Sequence, residues 1–382
     1  MASFSEFFRE HFGRVQPLAP EMHHYQSAPD ESPYRLHLRL EKDGSGILIV
    51  NAATVLHLNP TAAEYALHLV RKTPPEQAVR QMVSRYRIDH ATALKDFTSF
   101  SERIHALIDT PDLDPVTYLD FERVGPHSVE LVAPLRLDCA LTYRLPDGTS
   151  PGAAPTRRVD RELSAGEWQT VMDKAWAAGI PHLTFTGGEP TLRDDLPVLV
   201  AHAEKNGQVC GLLSDGLKLA DRDYRQSLLQ AGLDHLLFIL QPSNPASWQA
   251  LEVILPEDLF TTVHLTITPQ ELSAAAENLA RLARLGARSL SLSYADAALR
   301  DTAQTLQNQA AALGLTLRWD LPVPYSLENP VAYETVDDQV PAGAGKAWLY
   351  VEPDGDVLPA QGLAGQVLGN FLKDPWERIR QG

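Results

Sequence analysis

The chain has 382 residues, of which 44% are hydrophobic and 21% charged, and a formal net charge of −16. That length allows two or three domains around at least one large core. So acidic a chain is not expected to bind nucleic acid or an anionic membrane by general electrostatics, and it has no run of about 18 apolar residues to span a bilayer.

At the N-terminus, Phe4, Phe7, Phe8 and Phe12 recur at helical spacing, which predicts a short amphipathic helix over 3–13. The start shows no signal-peptide pattern, so the expected compartment is the cytoplasm. A polar stretch through Pro33 reads as linker, making 1–33 a helix-and-linker segment. Residues 34–110 then form a small α+β module. "YRLHLRL" alternates, "KDGSG" turns, "ILIV" follows, and "TVLHL" (Thr54, Val55, Leu56, His57, Leu58) is a third strand. Three helices follow. The first opens at "NPTAAE", with Pro60 early in the helix and Thr61 with Glu64 as a capping box. The second carries Val79, Met82, Val83 and Tyr86 on one face, and the third Leu94, Phe97, Phe100, Ile104 and Leu107.

From about residue 134 the pattern changes to strand–helix alternation. Strands are predicted at "PLRLDC", "HLTFTG", "VCGLLS", "DHLLFIL", "TVHLTIT", "RSLSLS" and "LTLRWDL". Helices between them include "EWQTVMDKAWAAG", with Ser164 and Glu167 as capping box, and "LSAAAENLARLARLG", stopped by glycine. Repeated βα units imply a parallel sheet, and six or seven suggest a full or partial barrel; an open doubly wound sheet is the alternative. Further on, "KAWLYVEPDGDVLPAQG" reads as a hairpin turning at Asp354-Gly355, and Asp374-Pro375-Trp376 starts a last short helix.

These phrases carry a family resemblance. The module at 34–110, with "LNPTAAE" after a hairpin, resembles the PqqD-like domain that binds leader peptides, a winged-helix-like α+β fold. Residues 128–325, with the "GGEP" element Gly187-Gly188-Glu189-Pro190 after a strand, resemble the partial (β/α)6 TIM-like barrel of radical S-adenosylmethionine (SAM) enzymes. Residues 338–382 resemble a short SPASM or twitch extension. The resemblance implies a peptide-modifying radical maturase. It would have a SAM pocket at Gly187, Gly188, Glu189, Ser214, Ser243 and Cys139, and a leader or precursor peptide added as a strand to Thr54–Leu58, with the third helix as the other wall of the groove. Read without it, the glycines are a turn with Glu189 capping the next segment.

One departure bears on the chemistry. The family holds its [4Fe–4S] cluster with Cys-x3-Cys-x2-Cys in the loop after the first barrel strand, leaving one iron for SAM. Counted from Cys139, the next two positions are Tyr143 and Pro146, and the only other cysteine, Cys210, lies in an apolar strand. Two cysteines make neither a disulfide framework nor a four-thiolate site. Asp138, Asp147 and His182 match no ligand spacing, and His182, His235 and His264 near strand starts read as structural, so no metal site is expected. Arg144, Arg157 and Arg158 are either solvated loop arginines or an anion site. Three functions follow. The first is a cluster-free protein that binds a leader peptide as scaffold or partner of a modifying enzyme. The second is an enzyme with repurposed chemistry at the strand ends, with SAM as an ordinary ligand. The third is an atypical cluster enzyme with unexpected ligands.

Overall fold

Alternating apolar residues and tight turns build the N-terminal sheet. Strand β2 (Arg35–Leu40) and β3 (Gly46–Val50) form a hairpin whose turn places Gly44 at φ +87, a conformation glycine adopts without cost. Asp43 Oδ1 braces that turn by accepting from Ser45 N and Oγ. Strand β4 (Thr54–Leu58) returns antiparallel to β3, with Leu48 opposite Leu56. A computed structural model describes residues 15–28, 34–51, 54–110, 131–146, 149, 152–318, 323–332 and 340–381. The chain divides into two units, Met1–Val132 and Ala133–Gly382. The helix expected over 3–13, and Asp147, lie outside the described residues.

The expected linker is not all linker. Within it Met22–Gln26 forms β1, antiparallel to β2, so the sheet order is β1-β2-β3-β4. Behind the sheet pack α1 (Pro60–Val70), α2 (Pro75–Arg85) and α3 (His90–Asp109), around Leu38, Leu48, Leu56, Ala66, Met82, Phe97 and Ile104. The capping box expected at Thr61 and Glu64 does not form. Asn59 is the cap, accepting from Ala62 N at 2.9 Å. With Pro60 already at the first helical position, Glu64 lies two residues too far inside, where it is buried, accepts from Tyr86 Oη at 2.9 Å and pairs with Arg85 at 2.6 Å.

In the second unit, β5 (Arg136–Thr142), β6 (His182–Gly187), β7 (Val209–Ser214), β8 (His235–Ile239), β9 (Phe260–Ile267), β10 (Ser289–Tyr294) and β11 (Thr316–Leu317) are parallel neighbours in sequence order. The order has none of the reversal of a doubly wound sheet. The free edge of β5 pairs in parallel with β12 (Trp348–Val351), which continues through β13 (Asp356–Leu358) to β14 (Gly369–Asn370). Asp354 and Gly355 sit at the expected β12–β13 turn, with Gly355 at φ +92.

Helices α4 (Ala165–Ala177), α5 (Leu196–Asn206), α6 (Arg222–Gln230), α7 (Pro245–Ile254), α8 (Ala275–Arg284) and α9 (Arg300–Ala312) connect successive strands, and α10 (Trp376–Ile379) follows β14. The capping box of Ser164 and Glu167 is present. The main core lies between sheet and helices and takes alternate strand residues: Leu137, Cys139 and Leu141 of β5, Leu183 and Phe185 of β6, Cys210 and Leu212 of β7. The residues between them face the other side. There His264, in mid-strand rather than at the strand start, sets Nδ1 3.0 Å from Ser291 Oγ and Nε2 3.0 Å from Ser293 Oγ. Burial holds its pKa down to about 4, so it is a neutral, structural histidine.

Candidate functional site

The C-terminal ends of β6 and β7 bring Glu189 and Ser214 together. Glu189 is buried, and its Oε1 accepts from Ser214 Oγ at 2.8 Å and Thr191 N at 2.9 Å, while its Oε2 accepts from Asp215 N at 2.9 Å. Burial, and then the charge of Asp215, push the Glu189 carboxyl up to about 8; burial raises Asp215 too. Lys218 does not neutralise them, for its Nζ bonds Thr191 O at 2.8 Å and lies 3.8 Å from Asp194. Two further carboxyls adjoin. Glu271 bonds Ser243, and Glu328 feels the charges of both Glu271 and Asp215; burial is the largest cause of the upward shift in each. Ser243 is therefore partnered by Glu271 and not by Glu189, whose described side-chain partners are Ser214, Thr191 and Asp215.

The two glycines serve the chain's own backbone. A Cβ at Gly187 would lie 2.0 Å from Thr142 O, and one at Gly188 2.2 Å from Arg144 O. Gly188 N donates to Thr142 O and Glu189 N to Arg144 O, both at 2.8 Å. The loop after β5 is thus laced onto the Gly-Gly-Glu edge. The outward lone pair of that edge is also used, since Gly187 O accepts from Tyr325 N at 3.0 Å. Val323, two residues earlier, packs on Leu213, Leu237 and Ile239 at the ends of β7 and β8. The segment at 323–329 lies over the strand ends, held by the bond from Tyr325 N to Gly187 O, and Asn329 N closes its own turn by donating to Ser326 Oγ at 3.0 Å.

Cys139 does not join this group. It faces Leu137 and Leu141 in the helix-covered core with 0% exposure, on a strand that runs on to Thr142. Burial pushes its thiol well above the ordinary range, so it is a poor thiolate. The loop after the strand begins at Tyr143, so the spacing counted from Cys139 does not describe that loop. Cys210 is buried in the same core. The residues present do not fit a [4Fe–4S] cluster, because neither thiol reaches the loop that would hold it.

A polar knot fills that place. Tyr143, 2% exposed, donates from its hydroxyl to Glu352 Oε1 at 2.9 Å and lies 3.3 Å from the Tyr350 hydroxyl. Arg158 donates from Nε to Glu352 Oε1 at 2.6 Å and from Nη2 to Tyr325 Oη at 2.9 Å. Tyr143 and Tyr325 meet edge to face, with centroids 5.5 Å apart. Arg158 is therefore neither solvated nor an anion site: Glu352 neutralises it. Arg157 is exposed, and Arg144, 54% exposed, pairs with Glu162 at 3.3 Å. Asp138, considered for metal, is held by Arg136 at 2.8 Å. Among the described residues no group of three or more His, Cys, Asp or Glu could hold a metal ion. Glu352, Tyr350 and Tyr325 carry no local sequence signal, because their partners are more than 160 residues away.

In the first unit, the described partner of β4 is β3 alone, and β4 is the last strand of the sheet order. Leu56 and Leu58 are buried, Val55 is 39% exposed, and Thr54 and His57 are half-buried. No helix among the described residues is long and apolar enough to cross a membrane.

No protein-family model matches the chain. It is 28% identical over 277 residues to a PqqA peptide cyclase of Streptomyces rochei, covering 65% of this chain and 75% of that one. To a PqqA peptide cyclase of Granulibacter bethesdensis it is 34% identical over 110 residues, covering 28% of this chain and 29% of that one. Its fold is similar to that of Streptococcus suis SuiB, with a TM-score of 0.61 at 16% identity over 94% of this chain and 88% of SuiB. SuiB bound to S-adenosylmethionine matches at a TM-score of 0.60, 15% identity and the same coverages of 94% and 88%. SuiB bound to its precursor peptide SuiA matches at 0.58, 15% identity, 90% and 87%.

Proposed function

We propose that the chain is a cluster-free relative of radical SAM peptide maturases that binds a leader or precursor peptide and serves as scaffold or partner of a modifying enzyme. In this reading 34–110, with β1 added before it, is the PqqD-like recognition domain. The parallel sheet of 128–325 is the partial (β/α)6 barrel, and 338–382 is the SPASM/twitch-like remnant. The observation that carries it is the knot of Tyr143, Arg158, Glu352, Tyr350 and Tyr325, which occupies the loop after β5 where a cluster would need three thiolates. The sequence relatives named PqqA peptide cyclase, and the likeness to SuiB, a protein crystallised with its precursor peptide, support a peptide as partner.

Peptide binding falls to β4. An edge strand offers unpaired N–H and C=O groups to which an extended peptide adds, and side chains on alternate positions give selectivity. Calorimetric titration of a precursor peptide encoded beside this chain tests the reading. Binding to the full chain but not to one lacking residues 1–110 is expected. Equal binding to both would reject it.

A second reading keeps SAM as an ordinary ligand of the strand ends, and one observation favours it. Glu189 and Asp215 are buried carboxyls whose neighbour Lys218 turns elsewhere, and such a pair suits an ammonium group. Against it, Gly187 O and both Glu189 oxygens already accept bonds from Tyr325, Thr191, Ser214 and Asp215. SAM binding would therefore require the 323–329 segment to leave.

A further inference from the structure

A pocket of about 340 Å³ opens in the first unit between the start of β2, the end of α1 and the C-terminal half of α3. None of the residues of β4 lines it, so it is separate from the strand edge proposed for the peptide backbone. Leu36, Leu69, Pro74, Pro75, Phe97 and Ile108 give it apolar walls. The chain carries 49 acidic residues and a net charge of −16, yet none of the described residues in the lining is acidic, and one of them is Lys72. Two histidines also line the pocket. His68 is neutral near pH 7, because burial holds its pKa below the ordinary value. His105 donates from Nδ1 to the Ser101 carbonyl at 2.7 Å. Lys72 therefore supplies the fixed charge of the lining.

That lysine stands where the backbone disfavours any side chain. Helix α1 ends at Val70, and the chain leaves it through Lys72 at φ +49, with Lys72 N donating to Leu69 O at 3.0 Å and Thr73 N to His68 O at 2.9 Å. A left-handed residue at this position is usually glycine, since a Cβ there is strained. The same chain obeys that rule after α4, α6, α8 and α9, where Gly179, Gly232, Gly286 and Gly314 stand at φ +89, +100, +87 and +79. After α1 it places a lysine instead. Strain retained where glycine would remove it marks a side chain with a task. Lys72 is exposed, and its Nζ lies 4.2 Å above the Tyr25 ring. Tyr25 in turn meets Tyr34, a lining residue, with ring centroids 5.4 Å apart. The ammonium thus stands at the solvent rim on the Tyr34 side, beside apolar walls.

We infer that this pocket receives a large apolar side chain of the recognised peptide and that Lys72 pairs with a carboxylate next to it, so the segment read here is an apolar residue beside an acidic one. That the ligand is a peptide rests on the proposed function; the demand for an apolar group with an anion beside it comes from the pocket. The probes are acetyl-Glu-Phe-Glu-amide, acetyl-Gln-Phe-Gln-amide and acetyl-Glu-Ala-Glu-amide, titrated separately against the full chain by saturation-transfer NMR at low salt. The first is expected to bind about twofold to fivefold more tightly than the second, as one exposed ion pair would give, although the net charge of the chain opposes it. About 1 M salt should erase that preference. The alanine peptide should bind at least about tenfold more weakly than the first. Lys72→Gly should abolish the preference for glutamate and leave the melting temperature at or above that of the unaltered chain, because glycine relieves the left-handed strain. Ile108→Glu, in the last turn of α3, should weaken both phenylalanine peptides. Equal binding of those two peptides, binding of neither, or a preference that survives Lys72→Gly would overturn the inference. A preference lost together with a lowered melting temperature would assign the lysine to the fold and overturn it as well. A precursor peptide whose binding needs residues 1–110 but is unchanged by Lys72→Gly and Ile108→Glu would reject the pocket's role and leave the peptide-binding reading standing.

Discussion

Replacing Arg158 by Met removes the only cation among the described residues that pairs with Glu352 and leaves a carboxylate with 4% of its side chain exposed. The Arg158 Nε to Glu352 Oε1 distance is 2.6 Å, and the arginine side chain is itself 20% exposed. At a charge separation of about 4 Å and an effective dielectric of about 20, the lost attraction is about 4 kcal/mol. Breaking a buried pair from one side typically costs about 3–5 kcal/mol. The hydrogen bond to Tyr325 Oη is lost as well. Arg158→Met should therefore destabilise the second unit by about 3–5 kcal/mol. The double variant Arg158→Met with Glu352→Leu should recover a large part of that, since it leaves no orphaned charge. All six tryptophans lie beyond residue 132, so urea unfolding followed by tryptophan fluorescence reads this unit. A single-variant cost below about 1 kcal/mol, or a double variant as unstable as the single, would refute the claim that the knot holds the loop in place.

Glu189 titrates high, at about 8, so it contributes stability in full below its unfolded pKa and loses it as pH rises through 8. Asp215→Asn keeps an acceptor for Leu217 N and removes the opposing charge, so the fall in melting temperature between pH 6 and 9 should become shallower; an unchanged slope would contradict the coupling. Of Val55 and Leu56, adjacent on β4, one points its N–H away from β3. Pro at that position should abolish precursor-peptide binding in calorimetry without unfolding the unit, and retained binding would remove β4 from the role. Tyr325→Ala takes away the ring and phenol that anchor the 323–329 segment, so SAM affinity by calorimetry should rise; affinity equal to that of the unaltered chain would mean that the segment does not guard the strand ends.

The βα half was legible because strands buried on both faces are written as apolar runs such as "HLTFTG" and "VCGLLS", bounded by glycine stops. Strand β1, "MHHYQ", was not, since its two histidines break the alternation and the pairing with β2 supplies what the local pattern lacks. Pro60 hid the true cap at Asn59, because a capping box matched the letters two residues further in. The position of Cys139 was in fact readable. Leu137, Cys139 and Leu141 share one face of a strand, so the cysteine belongs with the leucines in the core and not in the loop. Glu189 and Ser214 met as the βα order implies, both being at strand ends. The knot could not be read, because Arg158, Glu352 and Tyr325 are brought together by the sheet pairing of β12 with β5 and by the return of the 323–329 segment.

Anaerobic incubation with iron and sulfide, then desalting and assay of both elements with a visible spectrum, tests the cluster-free reading most directly. The two cysteines are buried in the core and the loop after β5 is occupied by the knot. Colourless protein with iron and sulfide far below one per chain is the predicted result. About four iron and four sulfide per chain, retained with cluster absorption, would contradict it.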